Sequence, residues 1–249
     1  MPLWLDKSRR PLFDPPERVV PGVDGLVYLG GRLDADAMIE ACQKGLFCWD
    51  GSPPFPWFSP DPRTILRPWR FHAARDVRRL TRRRTLEVTY DRDPMEVVRA
   101  CATTPRRDGG GTWITPHYER TYAELIERGA LHAVEVREEG RLVGGLYGLA
   151  LGRAFFGESM FHHRPHASKV GLYDLCVRLD AAGYRFIDCQ VHTEHLASLG
   201  AQGLARRLYL QELDRALAMP DGWADAMAAS GATGGLARVG DPSDVDDRP

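Results

Sequence analysis

No C-x-x-C pair occurs among the five cysteines of this 249-residue chain, and their number is odd. That spacing excludes zinc ribbons and a paired disulfide framework, and leaves reduced thiols, most of them inside apolar segments, as the expected state. No apolar run approaches the 18 or so residues of a membrane span, and residues 1–10 lack the apolar stretch of a signal peptide, so a cytoplasmic protein is expected. There is little net charge as well, −1 with a pI near 6.7. A chromatin-like or genome-coating protein would carry far more, so only a local charged site remains possible.

Such a site is present. Between residues 63 and 84 stand nine arginines against one acid, Asp76. Arg75, Arg78, Arg79, Arg82 and Arg83 follow the i, i+3, i+4, i+7, i+8 spacing that puts five guanidinium groups on one face of a helix. Beside them, residues 48–62 hold Trp49, Phe55, Trp57 and Phe58 among five prolines, a composition for a stiff loop that displays aromatic rings. Concentrated positive charge next to aromatic rings suits a polyanion with stackable bases, which is to say a nucleic acid.

The chain order reads as an arm (1–20), a small domain with the aromatic loop and basic helix (21–110), a second domain (111–219) and a disordered acidic tail (220–249). In the first domain, Asp34 caps a helix that Gly45 closes, and a strand at 86–90 and a helix at 94–101 follow. In the second, helix 116–127 leads into strands 133–137, 142–149 and 153–157, then helix 167–181, ended by Gly183, and strand 184–191. Antiparallel strands followed by a helix and a further strand match the core of N-acetyltransferases. The expected class is therefore α+β: a small N-terminal α/β domain, then an N-acetyltransferase-like domain with a mixed, mostly antiparallel sheet.

On a strand at 184–191, Asp188 and Gln190 share a face and Cys189 turns to the other. The ordinary reading of such a pair is that it satisfies backbone groups at a strand end. Glu158 follows the run Ala154-Phe155-Phe156, where its carboxylate can meet an amine or a ribose hydroxyl. Gly157-Glu158-Ser159-Met160-Phe161 lacks the second glycine of a nucleophile elbow, which argues against a serine hydrolase. His162, His163, His166, His192 and His195 have no metal-protease spacing, and no metal is expected.

Trp57-Phe58-Ser59-Pro60-Asp61-Pro62-Arg63, Gly111-Thr112-Trp113-Ile114-Thr115, Val143-Gly144-Gly145-Leu146-Tyr147-Gly148, Gly157-Glu158-Ser159-Met160-Phe161, Ala167-Ser168-Lys169, Asp188-Cys189-Gln190 and Ala197-Ser198-Leu199-Gly200-Ala201 occur in one order. In that order the chain resembles the leucyl/phenylalanyl-tRNA–protein transferases over roughly residues 24–213. The resemblance implies an enzyme that moves leucine or phenylalanine, less readily methionine, from aminoacyl-tRNA to proteins beginning with lysine or arginine, marking them for degradation. The ester already holds the free energy for a peptide bond, so no cofactor is expected, and with no heptad seam to suggest assembly a monomer is expected. It implies Asp188 and Gln190 as the catalytic pair, Gln190 orienting the amine and Asp188 orienting and polarising Gln190. Trp57, Trp113, Phe155 and Glu158 would line the site for the terminal adenosine and its ester, and Leu146 and Ile187 would wall the side-chain pocket. Arg75, Arg78, Arg79, Arg82 and Arg83 would grip the acceptor stem.

Departures are confined to Cys48-Trp49-Asp50, His162 and Leu204-Ala205-Arg206-Arg207. Two rival classes remain. An acyl-CoA-dependent N-acyltransferase would use a similar sheet, but its pyrophosphate loop is replaced by His162-His163-Arg164-Pro165-His166. A non-catalytic RNA-binding module would need the arginines and tryptophans without the polar pair.

Overall fold

A computed structural model describes Phe13, residues 25–105 and residues 112–229. The rest of the expected arm, the Gly109–Gly111 loop and the tail beyond residue 229 lie outside the described residues. In chain order the elements are β1 (Leu26–Leu29), α1 (Ala35–Gln43), β2 (Phe47–Cys48), β3 (Pro56–Phe58), β4 (Arg63–Leu66), α2 (Arg75–Arg83), β5 (Glu87–Tyr90), α3 (Pro94–Thr103) and α4 (Pro116–Glu127). These are followed by β6 (Leu131–Glu138), β7 (Arg141–Leu151), β8 (Ala154–His162), α5 (Ala167–Ala181), β9 (Phe186–Gln190), α6 (Glu194–Ser198), β10 (Gln202–Leu204), α7 (Arg206–Leu217) and α8 (Trp223–Ala228).

Local signals set the ends of many elements. Asp34 accepts the Ala37 amide at the start of α1, and Asp93 does the same for Glu96 at α3, ahead of a proline in the first turn. The α2 arginines do form a helix, anchored by Val77, its buried residue. In α5, by contrast, buried side chains occur all around the helix, as expected of a segment enclosed on every side. The sheet lies beneath it, and α2 and α8 pack against it from outside. Gly144 on β7 permits the close approach: a Cβ there would stand 2.7 Å from that of Ala167, at the first turn of α5.

The class is α+β with a mixed sheet. A three-stranded sheet runs β1-β3-β2, and a seven-stranded one β10-β4-β9-β8-β7-β6-β5, antiparallel except where α5 joins β8 to a parallel β9. Two expectations change. The sheet crosses the boundary placed near residue 110, because β4 pairs with β9 and β5 with β6. The segment from residue 220 is not all tail, since α8 packs on α5 with Trp223 and Ala226 buried.

The split in the sheet positions the site. β8 and β9 pair only from Ala154↔Phe186 to Phe156↔Asp188. Beyond that point β8 runs on beside β7 as far as His162, well past the end expected at residue 157, while β9 stops at Gln190. Two parallel strands that part leave an opening between them.

Candidate active site

The opening is a cleft of about 310 Å³, walled by Leu66, Leu146, Phe155, Met160 and Ile187 and reached by the polar groups of Glu158, Asp188 and Gln190. An apolar pocket with a few convergent polar groups has the general form of a small-molecule site.

Asp188 is fully buried, and every contact it makes is one a carboxylate needs to survive there. Arg63 Nε and Nη2 donate to its two oxygens at 2.8 and 2.7 Å, Tyr209 Oη donates at 2.7 Å, and the Gln190 backbone N–H donates at 2.9 Å. Arg63 spends a further N–H on the Gly45 carbonyl at 3.0 Å, and its guanidinium lies 4.8 Å from the ring centres of both Phe47 and Tyr209. Burial is the largest single influence on Arg63 and works to lower its pKa, but the charge and hydrogen bonds of Asp188, together with Tyr209, outweigh it and the net shift is upward. The guanidinium stays charged, and the pair is a fixed brace joining β4, β9 and α7.

Gln190 sits beyond a bulge: Thr64 pairs with Gln190 and Ile65 with Asp188, so Cys189 is an extra residue on β9. The bulge breaks the expected alternation, and Cys189 lines the cleft together with both neighbours. Gln190 itself has φ +65°, a left-handed conformation that costs a non-glycine residue about 1–2 kcal/mol. The Asp188 carboxylate holds it by the backbone N–H. The side-chain amide donates to the Gly157 carbonyl at 3.2 Å, spanning the split between the strands. Asp188 therefore does not polarise the Gln190 side chain directly, as the sequence suggests; it fixes the backbone that carries it.

Glu158 stands on β8 where that strand leaves β9, and Tyr122 Oη donates to its carboxylate at 2.8 Å. Burial raises its pKa from 4.5 to about 7, with Asp188 adding to the rise and Tyr122 and Arg63 opposing it. A carboxylate so placed changes charge near neutrality. Cys189 also lines the cleft, but burial lifts its thiol too far for a thiolate nucleophile at neutral pH.

The five arginines of α2 line one groove. α2 packs on α5, whose Leu172 lines the cleft while the next residue, Tyr173, feels the charges of Arg78 and Arg82. One helix thus links the basic surface to the cleft. Among the described residues no cluster of three His, Cys, Asp or Glu side chains could hold a metal ion, and no helix is long and apolar enough to cross a membrane.

Residues 65–214 match the family model described as leucyl/phenylalanyl-tRNA protein transferase. The chain is similar to a leucyl/phenylalanyl-tRNA–protein transferase of Azotobacter vinelandii, 46% identical over 84% of this chain and 92% of that one. A protein of the same name from Pseudomonas fluorescens is 45% identical over 88% and 96% of the two chains. This chain belongs to the leucyl/phenylalanyl-tRNA–protein transferase family. The motifs that signalled the transferase family are dispersed along the chain, but the fold gathers their side chains unevenly.

Asp188, Gln190, Glu158, Phe155, Leu146 and Ile187 meet at the cleft. Two expected lining residues do not. Trp57 is wholly buried in β3, the central strand of the small sheet, with Nε1 donating to the Gly30 carbonyl at 3.1 Å and Phe13 edge-on at 4.7 Å. Trp113 packs edge-on against Tyr118 at 5.0 Å and is not among the cleft's lining residues. The tryptophan that does line the cleft is Trp49, 47% exposed just beyond β2. Its signal was the neighbouring break in the family pattern at Cys48. Arg63 and Tyr209 were also missed, since nothing local shows that an arginine in a basic run is paired 125 residues away.

Proposed function

We propose that this protein transfers leucine or phenylalanine, and less readily methionine, from aminoacyl-tRNA to proteins whose first residue is lysine or arginine, marking them for degradation in the cytoplasm. One observation carries the reading: an apolar cleft closed by Gln190 and Asp188 lies behind a helix that also supports five grouped arginines, in a chain of the transferase family. The strand order β6-β7-β8-α5-β9, with its parallel pair parting at the site, supports an N-acetyltransferase-like core.

The chemistry is aminolysis of an ester. The acceptor nitrogen forms a bond to the ester carbonyl carbon, the carbon–oxygen bond to the ribose breaks, and the proton lost by the nitrogen ends on the leaving ribose oxygen. The ester already holds the free energy required, so alignment and proton handling suffice. The Gln190 amide N–H₂ is committed to Gly157, so its Oε1 is the atom that accepts from the incoming amine. A neutral amide cannot serve as the base. The ionised Glu158 supplies the negative charge that draws an ammonium or guanidinium into the cleft.

The deciding assay is transfer of labelled leucine from leucyl-tRNA to peptides beginning with arginine, lysine or alanine, run between pH 5.5 and 9. Transfer to arginine and lysine alone is expected. The rate should rise through about pH 7 as Glu158 ionises and again near 8 as the acceptor α-amine deprotonates. Glu158→Gln is expected to remove the lower step and keep the upper one; a profile that does not change refutes this role. No transfer to any peptide would leave the non-catalytic RNA-binding reading.

The α2 arginines carry a separate expectation. Contacts to phosphates position without reading sequence, so Arg79→Ala with Arg82→Ala should weaken binding of every tRNA alike. The slope of log K against log salt should become shallower by about 0.7–0.9 for each contact removed. Filter binding between 50 and 300 mM salt measures it, and an unaltered slope would place the tRNA elsewhere.

A further inference from the structure

α8 lies past residue 214, where the family match ends, yet it reaches the inner wall of the cleft. Its first residue, Trp223, is 7% exposed. The indole Nε1 donates to Asp91 Oδ2 at 2.9 Å, the same oxygen that meets His132 Nδ1 at 2.8 Å. The ring lies over the His132 imidazole, with centres 4.1 Å apart and planes 20° apart. It also runs nearly parallel to Phe155, at 6.0 Å and 19°.

Phe155 is one of the cleft's walls, and Trp223 is not. The tryptophan therefore stands one layer behind. Phe155 has little freedom toward β7, because its ring lies over Gly148, where a Cβ would come within 2.7 Å of the ring edge. The helix that carries Trp223 is itself fastened. Arg153 pairs with Asp225 at 2.7 Å, and Arg178 Nη1 donates to the Met227 and Ala229 carbonyls at 3.1 and 2.7 Å. A helix of six residues is marginal by itself, and these contacts hold the indole against the pocket.

We propose that Trp223 is a specificity-determining positioning residue: by backing Phe155 it sets the depth of the apolar end of the cleft, and with it the preference between leucine and the longer phenylalanine. This rests on the transfer reading above. An aromatic ring that loses its support can retreat into the space behind it, and the pocket lengthens. Leucine then leaves a void and phenylalanine fills it. Pockets of this kind discriminate by about 10- to 200-fold for a methylene, so a one-layer displacement is large enough to move the ratio.

The test uses the full chain, unmodified and as Trp223→Ala and Trp223→Phe, with leucyl-tRNA and phenylalanyl-tRNA and one arginine-initiated acceptor. Trp223→Ala is expected to raise the phenylalanine-to-leucine ratio of kcat/KM about tenfold, with tRNA affinity unaltered. Trp223→Phe, which keeps a ring in place, should shift it about threefold in the same direction. A purely structural role would lower both substrates together and leave the ratio where it was, and that result overturns the proposal. If Trp223→Ala does not fold, the ratio for Trp223→Phe decides alone, an unmoved value again overturning it. Should the unmodified chain transfer neither amino acid, the transfer reading fails and this inference with it; transfer by the unmodified chain with an unmoved ratio in the variants sinks this inference only.

Discussion

Arg63→Met is expected to remove about 3–5 kcal/mol of stability and to abolish transfer, the largest structural effect of any single substitution at the site. The side chains of Arg63 and Asp188 are 1% and 0% exposed, so deleting the guanidinium leaves a carboxylate buried without its counter-charge. Two of the four hydrogen bonds to Asp188 go with it, and the Gly45 carbonyl loses its donor. At about 2–4 °C per kcal/mol for a domain of this size, the melting temperature should fall by roughly 10 °C. The double variant Arg63→Met with Asp188→Leu separates stability from function. Replacing both members of a buried pair by apolar groups is often close to neutral, so much of the stability should return, less the cost of the unpaired Tyr209 hydroxyl and Gln190 N–H. Transfer should not return, because the Gln190 backbone N–H has then lost the carboxylate that fixes it, and the Gly157 carbonyl alone is left to hold the residue. Urea denaturation of the three proteins reads the first part and single-turnover transfer the second. Wild-type stability in Arg63→Met would refute the brace, and wild-type transfer in the double variant would remove Asp188 from the mechanism.

What the sequence revealed depended on how far each contact reaches along the chain. The helix at 167–181 was legible to the residue, since its apolar content and the closing Gly183 are local, and the cap at Asp34 is local as well. β2, β3 and β10 have two or three residues each, lie among prolines and glycines, and exist only because a partner strand lies beside them. No periodicity can build up in so short a run. The same reason exchanged the tryptophans: Trp49 and Trp57 belong to one aromatic segment, and only the pairing of β3 between β1 and β2 buries the second and leaves the first at the cleft. The polar pair was legible as a pair, but the bulge at Cys189 was not, because it arises from registering β9 against a β4 that lies more than 120 residues earlier. Trp223 stood alone in an Ala, Gly and Asp-rich segment, and a lone aromatic in such a setting was the one sign that part of the tail would dock.

Gln190→Ala is expected to lower the single-turnover rate about 10²- to 10³-fold with tRNA affinity unaltered, in the range found when one preorganised polar group is removed from an acyl-transfer site. The reasoning begins at the backbone. A residue at φ +65° is under strain, and strain in a non-glycine residue persists only where the surroundings hold it; here the Asp188 carboxylate on the N–H and the Gly157 carbonyl on the amide do so. Glycine adopts the same φ without penalty, so Gln190→Gly should be more stable than Gln190→Ala by about 1 kcal/mol and just as inactive. If the rate loss came from disturbing the fold, the more stable variant would transfer faster. If it comes from losing an oxygen aimed at the incoming nitrogen, stability and rate part company, and glycine gains the first without the second. Equal stability of the two variants would show that the left-handed turn carries no strain, and a wild-type rate in either would take the amide out of the reaction.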